Sequence, residues 1–217
     1  MKMDLYPKNK IPIGEVRKFI VIFYIVGLCG FIIPFTKAFF ITITPFALLL
    51  NVYLLVIYHE KYTLKYVLIF LLIFISGYCI EVVGVKTGFI FGSYIYGNAL
   101  GIKLFETPLL IGVNWLFLTY TAISITEKLN IKKWLALFVA PTFMLVYDIV
   151  LEQVAPKIDM WNWHNSEVPL KNYIAWYIIA FSFVLLLKAF KIKTSNPLSV
   201  ILFICQFLFF ITLTFLL

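Results

Sequence analysis

Long apolar runs separated by short polar connections dominate the chain. Seven of them approach the roughly 20 residues that a helix needs to cross a bilayer: 19–35, 41–58, 64–83, 109–125, 134–151, 173–190 and 198–217. In lipid a backbone must satisfy its own N–H and C=O groups, so each run is expected as an α-helix. No linker or sharp change of composition divides the sequence. Residues 1–217 are therefore expected to form a single integral membrane domain of the all-α class, a polytopic bundle of about seven transmembrane helices. The first run follows a basic stretch but is not followed by a convincing small-x-small cleavage site, so it is expected to stay as a helix.

Composition agrees with lipid as the main solvent: 63% of residues are hydrophobic and 13% charged, with mean hydropathy +1.02, a balance unsuited to a soluble domain. The net charge of +8 does not point to nucleic acid, because the 18 Lys and Arg fall in short clusters between apolar runs rather than along one face. They read as topology signals and phospholipid contacts. Counted by connection, the side that holds the N-terminal arm (Lys2, Lys8, Lys10, Arg17, Lys18) carries 13 of them and the other side 5. That asymmetry predicts a multi-pass cell-membrane protein with the N-terminus in the cytoplasm and the C-terminus outside. Cys29, Cys79 and Cys205 each lie in an apolar run without paired spacing and are expected to pack as small hydrophobes.

Ionisable groups within membrane segments are costly and mark candidate functional sites. Glu81 lies near the end of the third run, and Asp148 and Glu152 stand one turn apart at the end of the fifth. In a seven-helix chain the third and fifth helices run the same way, so the three carboxylates are expected at one depth on one face. Gly77, Gly84 and Gly88 surround Glu81 at spacings that predict a groove for a close neighbouring helix or a slim ligand. Asn114 and Trp115 fall mid-helix, where an interfacial aromatic belt does not place a Trp and where Asn needs a partner, whereas Trp161 and Trp163 fit such a belt well.

Residues 84–97 interleave glycine with aromatics, which predicts a compact re-entrant or interfacial segment between helices 3 and 4. His59 is expected in a short cytoplasmic connection and His164 in an outer loop. Neither has partners at a metal-ligand spacing, so no metal site is expected.

From Glu81 to Trp176 the chain resembles the carotenoid-biosynthesis membrane proteins typified by CruF and bisanhydrobacterioruberin hydratase. The resemblance rests on Glu81-Val-Val-Gly-Val-Lys-Thr-Gly-Phe-Ile-Phe-Gly-Ser-Tyr-Ile-Tyr96, Leu100-Gly101, Pro108, Trp115, Asp148-Ile-Val-Leu-Glu152, Trp161-Asn-Trp163, Pro169, Asn172 and Trp176, a family-like core over 81–176. Helices 1, 2 and 7 match only in being apolar. Two positions depart from the pattern: Glu106-Thr107 stands before the proline where Gly-Val is expected, and Gln153 follows Glu152 in place of proline. Glu106 either adds a fourth carboxylate or solvates its loop.

The resemblance implies a carotenoid hydratase, a hydro-lyase of isoprenoid metabolism. Such an enzyme adds water across the terminal 1,2 double bond of an acyclic carotenoid, through protonation to a tertiary carbocation. This chemistry requires a carboxylic acid kept protonated by burial, electron-rich aromatic faces and one placed water, with no cofactor. Glu81, with Asp148 as second choice, is expected as proton donor, and Glu152 with the remaining carboxylate to orient or deprotonate the water. Thr87, Phe91, Tyr94, Tyr96, Asn114, Trp115, Trp161, Trp163, Asn172 and Trp176 are the expected substrate-binding residues. The outer-loop groups Asp159, Asn162, His164, Asn165, Ser166 and Glu167 are expected to hold water beside Trp161 and Trp163. Partners implied are the acyclic polyene, membrane lipids and other enzymes of the pathway, without nucleic acid.

Two enzymes and a non-enzyme compete with this reading. A lycopene-type cyclase begins with the same protonation but lets a neighbouring double bond take the cation. A polyprenyl transferase would need two Asp-rich magnesium motifs, and only Asp148-x-x-x-Glu152 is available. A transporter also carries intramembrane acids, yet no repeat relates the two halves of the chain.

Overall fold

The computed structural model of the protein describes residues 5–217; Lys2 of the basic arm lies outside the described residues. Seven α-helices are found among them: α1 (Ile13–Ile32), α2 (Pro34–Tyr58), α3 (Leu64–Thr87), α4 (Leu110–Lys128), α5 (Lys133–Glu152), α6 (Leu170–Ala189) and α7 (Ser199–Leu216). Five of them, all but α1 and α4, are long and apolar enough to cross a membrane. The protein is thus an all-α, multi-pass membrane protein, and its apolar side chains face outward as well as inward: Val26, Phe46, Leu72, Ile75, Ile178 and Leu208 are all exposed.

Helix ends follow local chemistry. The second helix starts seven residues before its apolar run, because Pro34 at its first position is already set to a helical φ and lacks an N–H that would go unpaired there. Ile33 alone joins it to α1. Thr63 caps α3 by accepting from Tyr66 N. Gly88 ends that helix in the left-handed conformation, φ 62°, with its N–H on Gly84 O at 2.8 Å.

The hub is α4, which packs against α2, α3, α5, α6 and α7. Thirteen of its 19 residues are buried. Its Thr119, Thr121 and Thr126 hydroxyls bond back to carbonyls of the preceding turn, which lets polar residues sit inside the bundle. Outside the hub, α1 packs on α2 and α7, and α5 packs on α6.

The segment between α3 and α4 contains no helix. It folds as short strands: β1 (Tyr94–Tyr96), then a hairpin of β2 (Lys103–Leu104) and β3 (Thr107–Pro108). The hairpin turns on Phe105 and Glu106, φ 52° and 65°, as a two-residue loop with both central residues left-handed requires. The connection between α5 and α6 supplies a 3-10 turn (Ala155–Ile158) and β4 (Trp161–Trp163), antiparallel to β1. Cys29 and Cys79 lie exposed on helix faces rather than packed in the core, and Cys205 is half-buried.

Candidate active site

Glu81 stands near the end of α3, and Asp148 and Glu152 at the end of α5. All three are buried, Asp148 completely. They meet beneath the β1–β4 ribbon, whose register sets Tyr94 opposite Trp163 and Tyr96 opposite Trp161. Side chains alternate across a strand, so these four rings share the inward face while Ile95 and Asn162 point out.

Each inward ring carries its polar tip to a carboxylate. Tyr94 and Tyr96 donate to Glu81 Oε2 at 2.6 and 2.8 Å. Trp161 and Trp163 donate to Glu152 Oε2 at 3.0 and 2.8 Å. Burial, reinforced by the Glu81 charge, pushes both tyrosine hydroxyls well above the usual phenol range, so they remain donors. The rings also pack on one another: Tyr94 and Trp163 lie tilted with centroids 4.9 Å apart, and Tyr96 and Trp161 meet edge to face at 6.0 Å. Trp161 and Trp163 are therefore not an interfacial belt but buried donors.

From below, Trp115 of α4 donates its indole N–H to Glu81 Oε1 at 3.0 Å. Its ring stacks on Trp176 of α6 with centroids 4.0 Å apart and meets the edge of Phe183. The glycine groove expected beside Glu81 is thus occupied by the protein itself. A Cβ on Gly77 would stand 2.8 Å from Trp115 Cβ, and one on Gly84 would collide with the Phe91 ring, while Gly88 serves as the helix cap. Phe91 then packs edge-on against Tyr94.

Asn172 of α6 completes the cluster. Its Nδ2 donates to Asp148 Oδ2 at 3.2 Å and to Glu152 Oε1 at 3.3 Å. Five of the six carboxylate oxygens thereby accept a hydrogen bond, and the sixth, Asp148 Oδ1, is buried without a partner.

Several expected residues lie elsewhere. Thr87 is exposed and caps its own helix end, accepting from Phe89 N and donating to Val83 O. Asn114 sits beside Trp115 in sequence but turns toward Leu48 and Gln206, lining the small void that also reaches Trp161 rather than the carboxylates themselves. Glu106 is exposed at the hairpin tip and adds no fourth carboxylate. Asn162, His164, Asn165, Ser166 and Glu167 are exposed on the far side of the ribbon, and Asp159 accepts from Asn98 N, fastening one loop to the other. These groups do not wall the aromatic pocket, because the ribbon's alternation turns only the rings inward.

A second polar group was not foreseen. Asn51 of α2 donates to Tyr24 and to Gln206 Oε1, and Gln206 of α7 donates to Tyr147 of α5 at 2.6 Å. An amide inside an apolar run was the available signal, the same one that marked Asn114. Tyr24, Asn51 and Gln206 border a cavity of about 230 Å³ between α1, α2 and α7. Through Leu48, Met160, Gln206 and Phe210 it adjoins a void of about 20 Å³ that reaches Tyr147, Leu151 and Trp161, at the edge of the acidic cluster. Among the described residues no three His, Cys, Asp or Glu side chains are grouped to hold a metal ion.

Fold and site together define a polytopic α-helical membrane protein with an enclosed centre of carboxylates and aromatic rings. The chain belongs to the carotenoid biosynthesis protein family, whose model matches residues 23–217 and so takes in nearly all of the bundle, α2 and α7 included. No curated protein and no solved structure matches it.

Proposed function

We propose that the protein is a carotenoid end-group hydratase, adding water across the terminal double bond of an acyclic carotenoid. Family membership supports a role in carotenoid biosynthesis. The observation that carries the finer reading is the unpartnered, buried Asp148 Oδ1. Glu81 accepts from three donors and Glu152 from three, as suits ionised carboxylates. Asp148 has one donor, shared with Glu152. Two carboxylates a turn apart do not both ionise readily, and the proton belongs on the one with a free oxygen. This makes Asp148 the acid, with Glu81 and Glu152 as anions that hold the rings in place and favour a nearby cation.

The end group approaches from the cavity of about 230 Å³, on the side of Tyr147, Leu151 and Trp161. Asp148 gives its proton to the CH carbon of the terminal alkene, and the cation forms at the dimethyl carbon. The faces of Trp161, Trp163 and Tyr96 offer it electron density. Water forms the new C–O bond there, and the proton it releases returns to the Asp148–Glu152 pair, restoring the starting state. The protein lies in the cell membrane with its N-terminus cytoplasmic, so the ribbon and the carboxylates face outward.

The test is expression in a host that makes acyclic carotenoids, grown in water enriched in heavy oxygen. The expected product is heavier by one water and carries the label in a tertiary hydroxyl. An isomeric ring product without label would establish a cyclase instead.

A further inference from the structure

Capture of a carbocation by hydration needs one placed water, and the exposed outer-loop groups lie behind the ribbon, away from the rings. A void of about 20 Å³ lies at the edge of the acidic cluster instead, walled by Leu48, Asn114, Tyr147, Leu151, Trp161 and Gln206 among others. Its position follows from sequence neighbours. Asn114 precedes Trp115, which donates to Glu81, while Tyr147 precedes Asp148 and Leu151 precedes Glu152. Trp161 borders the void and also donates its indole N–H to Glu152 Oε2 at 3.0 Å. The void and Glu152 are therefore no more than an indole's width apart.

Asn114 is the unusual wall. Its side-chain amide makes no hydrogen bond among the described residues, yet it is not one of the partnerless polar atoms sealed within the protein, which are the Tyr58 hydroxyl, His59 Nε2 and Asp148 Oδ1. The amide is thus open to space, and Asn114 borders both this void and a neighbouring one of about 10 Å³. Holding such an amide unpaired inside an apolar bundle costs about 1–3 kcal/mol. Gln206 borders the same two voids. Its Oε1 accepts from Asn51 and Tyr24, which fixes the amide so that Nε2 donates to the Tyr147 hydroxyl at 2.6 Å. Tyr147 then has its own O–H left to give, and no acceptor among the described residues takes it. A bound water needs a space of at least about 10–15 Å³ and two to four polar partners. The void of about 20 Å³ meets the first condition and is too small for a carbon chain; Asn114, Tyr147 and Gln206 meet the second.

We propose that this void seats the water that captures the carbocation, with Asn114 positioning it and Tyr147 and Gln206 completing its hydrogen bonds. The inference rests on the hydratase reading and gives its second reactant a place. Leu48, Met160, Gln206 and Phe210 also wall the cavity of about 230 Å³, so an end group at the near end of that cavity lies against the water. A lone pair of the water forms the C–O bond at the dimethyl carbon. One water O–H breaks, and its proton goes to the Asp148–Glu152 pair, replacing the one given to the alkene. Without a seated water the cation loses a proton and reverts to an alkene.

Two measurements on the full-length protein in phosphatidylcholine nanodiscs test the seat. In water enriched in heavy oxygen, a brief X-ray pulse makes hydroxyl radicals from bound water, and these oxidise adjacent side chains. Met160 and Met144 are both buried, but only Met160 borders the void. Heavy oxygen is therefore expected on Met160 and not on Met144. Asn114→Leu should lower Met160 labelling about three- to tenfold, the worth of one net hydrogen bond to the water. Tyr147→Phe, which keeps the ring, should lower it too and serves if Asn114→Leu fails to fold. In the second measurement an acyclic carotenoid is turned over in deuterated water. The same variants should form less alcohol while recovered carotenoid gains deuterium at its terminal CH, because protonation continues without capture. A purely structural defect would reduce alcohol and deuterium uptake together. Unlabelled Met160 in the wild type, labelling unchanged in both variants, or alcohol and deuterium uptake falling together would overturn the proposal. Failure of the hydratase reading is distinct: Met160 would be labelled and sensitive to Asn114→Leu, but the wild-type product would be a ring without heavy oxygen.

Discussion

Asn172 divides one amide between Asp148 and Glu152, and this sharing separates the roles of carboxylates that look equivalent in the sequence. Asp148→Asn keeps size and leaves an acceptor for Asn172 but has no proton to give. Product formation is expected to fall by about 10²–10⁴-fold, the usual worth of a general acid, with the thermal transition of the purified protein little changed. Glu81→Gln differs, because its amide nitrogen would face donors from Tyr94, Tyr96 and Trp115. Leaving these groups mispaired should cost about 1–3 kcal/mol, so it should lower both thermal stability and pigment conversion. Full stability with no product in Glu81→Gln, together with an active Asp148→Asn, would return the donor role to Glu81. The acids themselves were legible because charge in an apolar helix is conspicuous. Their partners were not, since which ring meets which carboxylate depends on a strand register that only the folded ribbon defines. His59 looked like a solvated connection because its burial comes from Tyr62, Tyr66 and Phe70 folding over it.

At the scale of elements, the helices were visible as apolar runs, while the strands that build the site were not. Three-residue strands carry too little pattern, and β1 and β4 lie 65 residues apart, so nothing local to either announces the other. What seats the ribbon is a close approach at Gly97. Its N–H bonds to Met160 O at 2.8 Å, Ala99 N–H bonds to Asp159 O, and a Cβ on Gly97 would run into the Asp159 backbone. Gly97→Ala should therefore push β1 away from β4, withdrawing the tyrosines from Glu81 and the indoles from Glu152. Overpacking of this kind costs about 1–3 kcal/mol. The expected outcome is a lower thermal transition, faster proteolysis within residues 88–109 and a matching loss of conversion. Gly14→Ala, where an added Cβ meets nothing within 4 Å, is the control and should change none of these. Wild-type proteolysis in Gly97→Ala would mean that the ribbon is not held by this contact.

Over the whole molecule, the meeting of α3 and α5 at one centre dictates how the chain crosses the membrane. Glu81 and Glu152 both lie near C-terminal helix ends and both hydrogen-bond to the same ribbon, so α3 and α5 run in the same direction. The helix between them must bring the chain back. Although α4 is less apolar than its neighbours, its 19 residues span about 28 Å, close to the roughly 30 Å of a hydrocarbon core, and its polar groups face protein rather than lipid. Helices α1 and α2 are joined by a single residue, and α1 lies along α7 as well as α2, so it too runs the depth of the bundle. Seven crossings would place the two ends of the chain on opposite sides, and the proposed orientation, which rests on the excess of Lys and Arg, puts the N-terminal side in the cytoplasm. A reporter fused after Leu217 is expected to be active only outside the cytoplasmic membrane. One inserted at residues 129–132, between α4 and α5, should be active only inside, and one at 164–166, behind the ribbon, only outside. Two cytoplasmic signals from the α4–α5 and α5–α6 connections would mean that α5 does not cross. The carboxylates of α3 and α5 would then lack a common face, and the proposed hydration site would lose its basis.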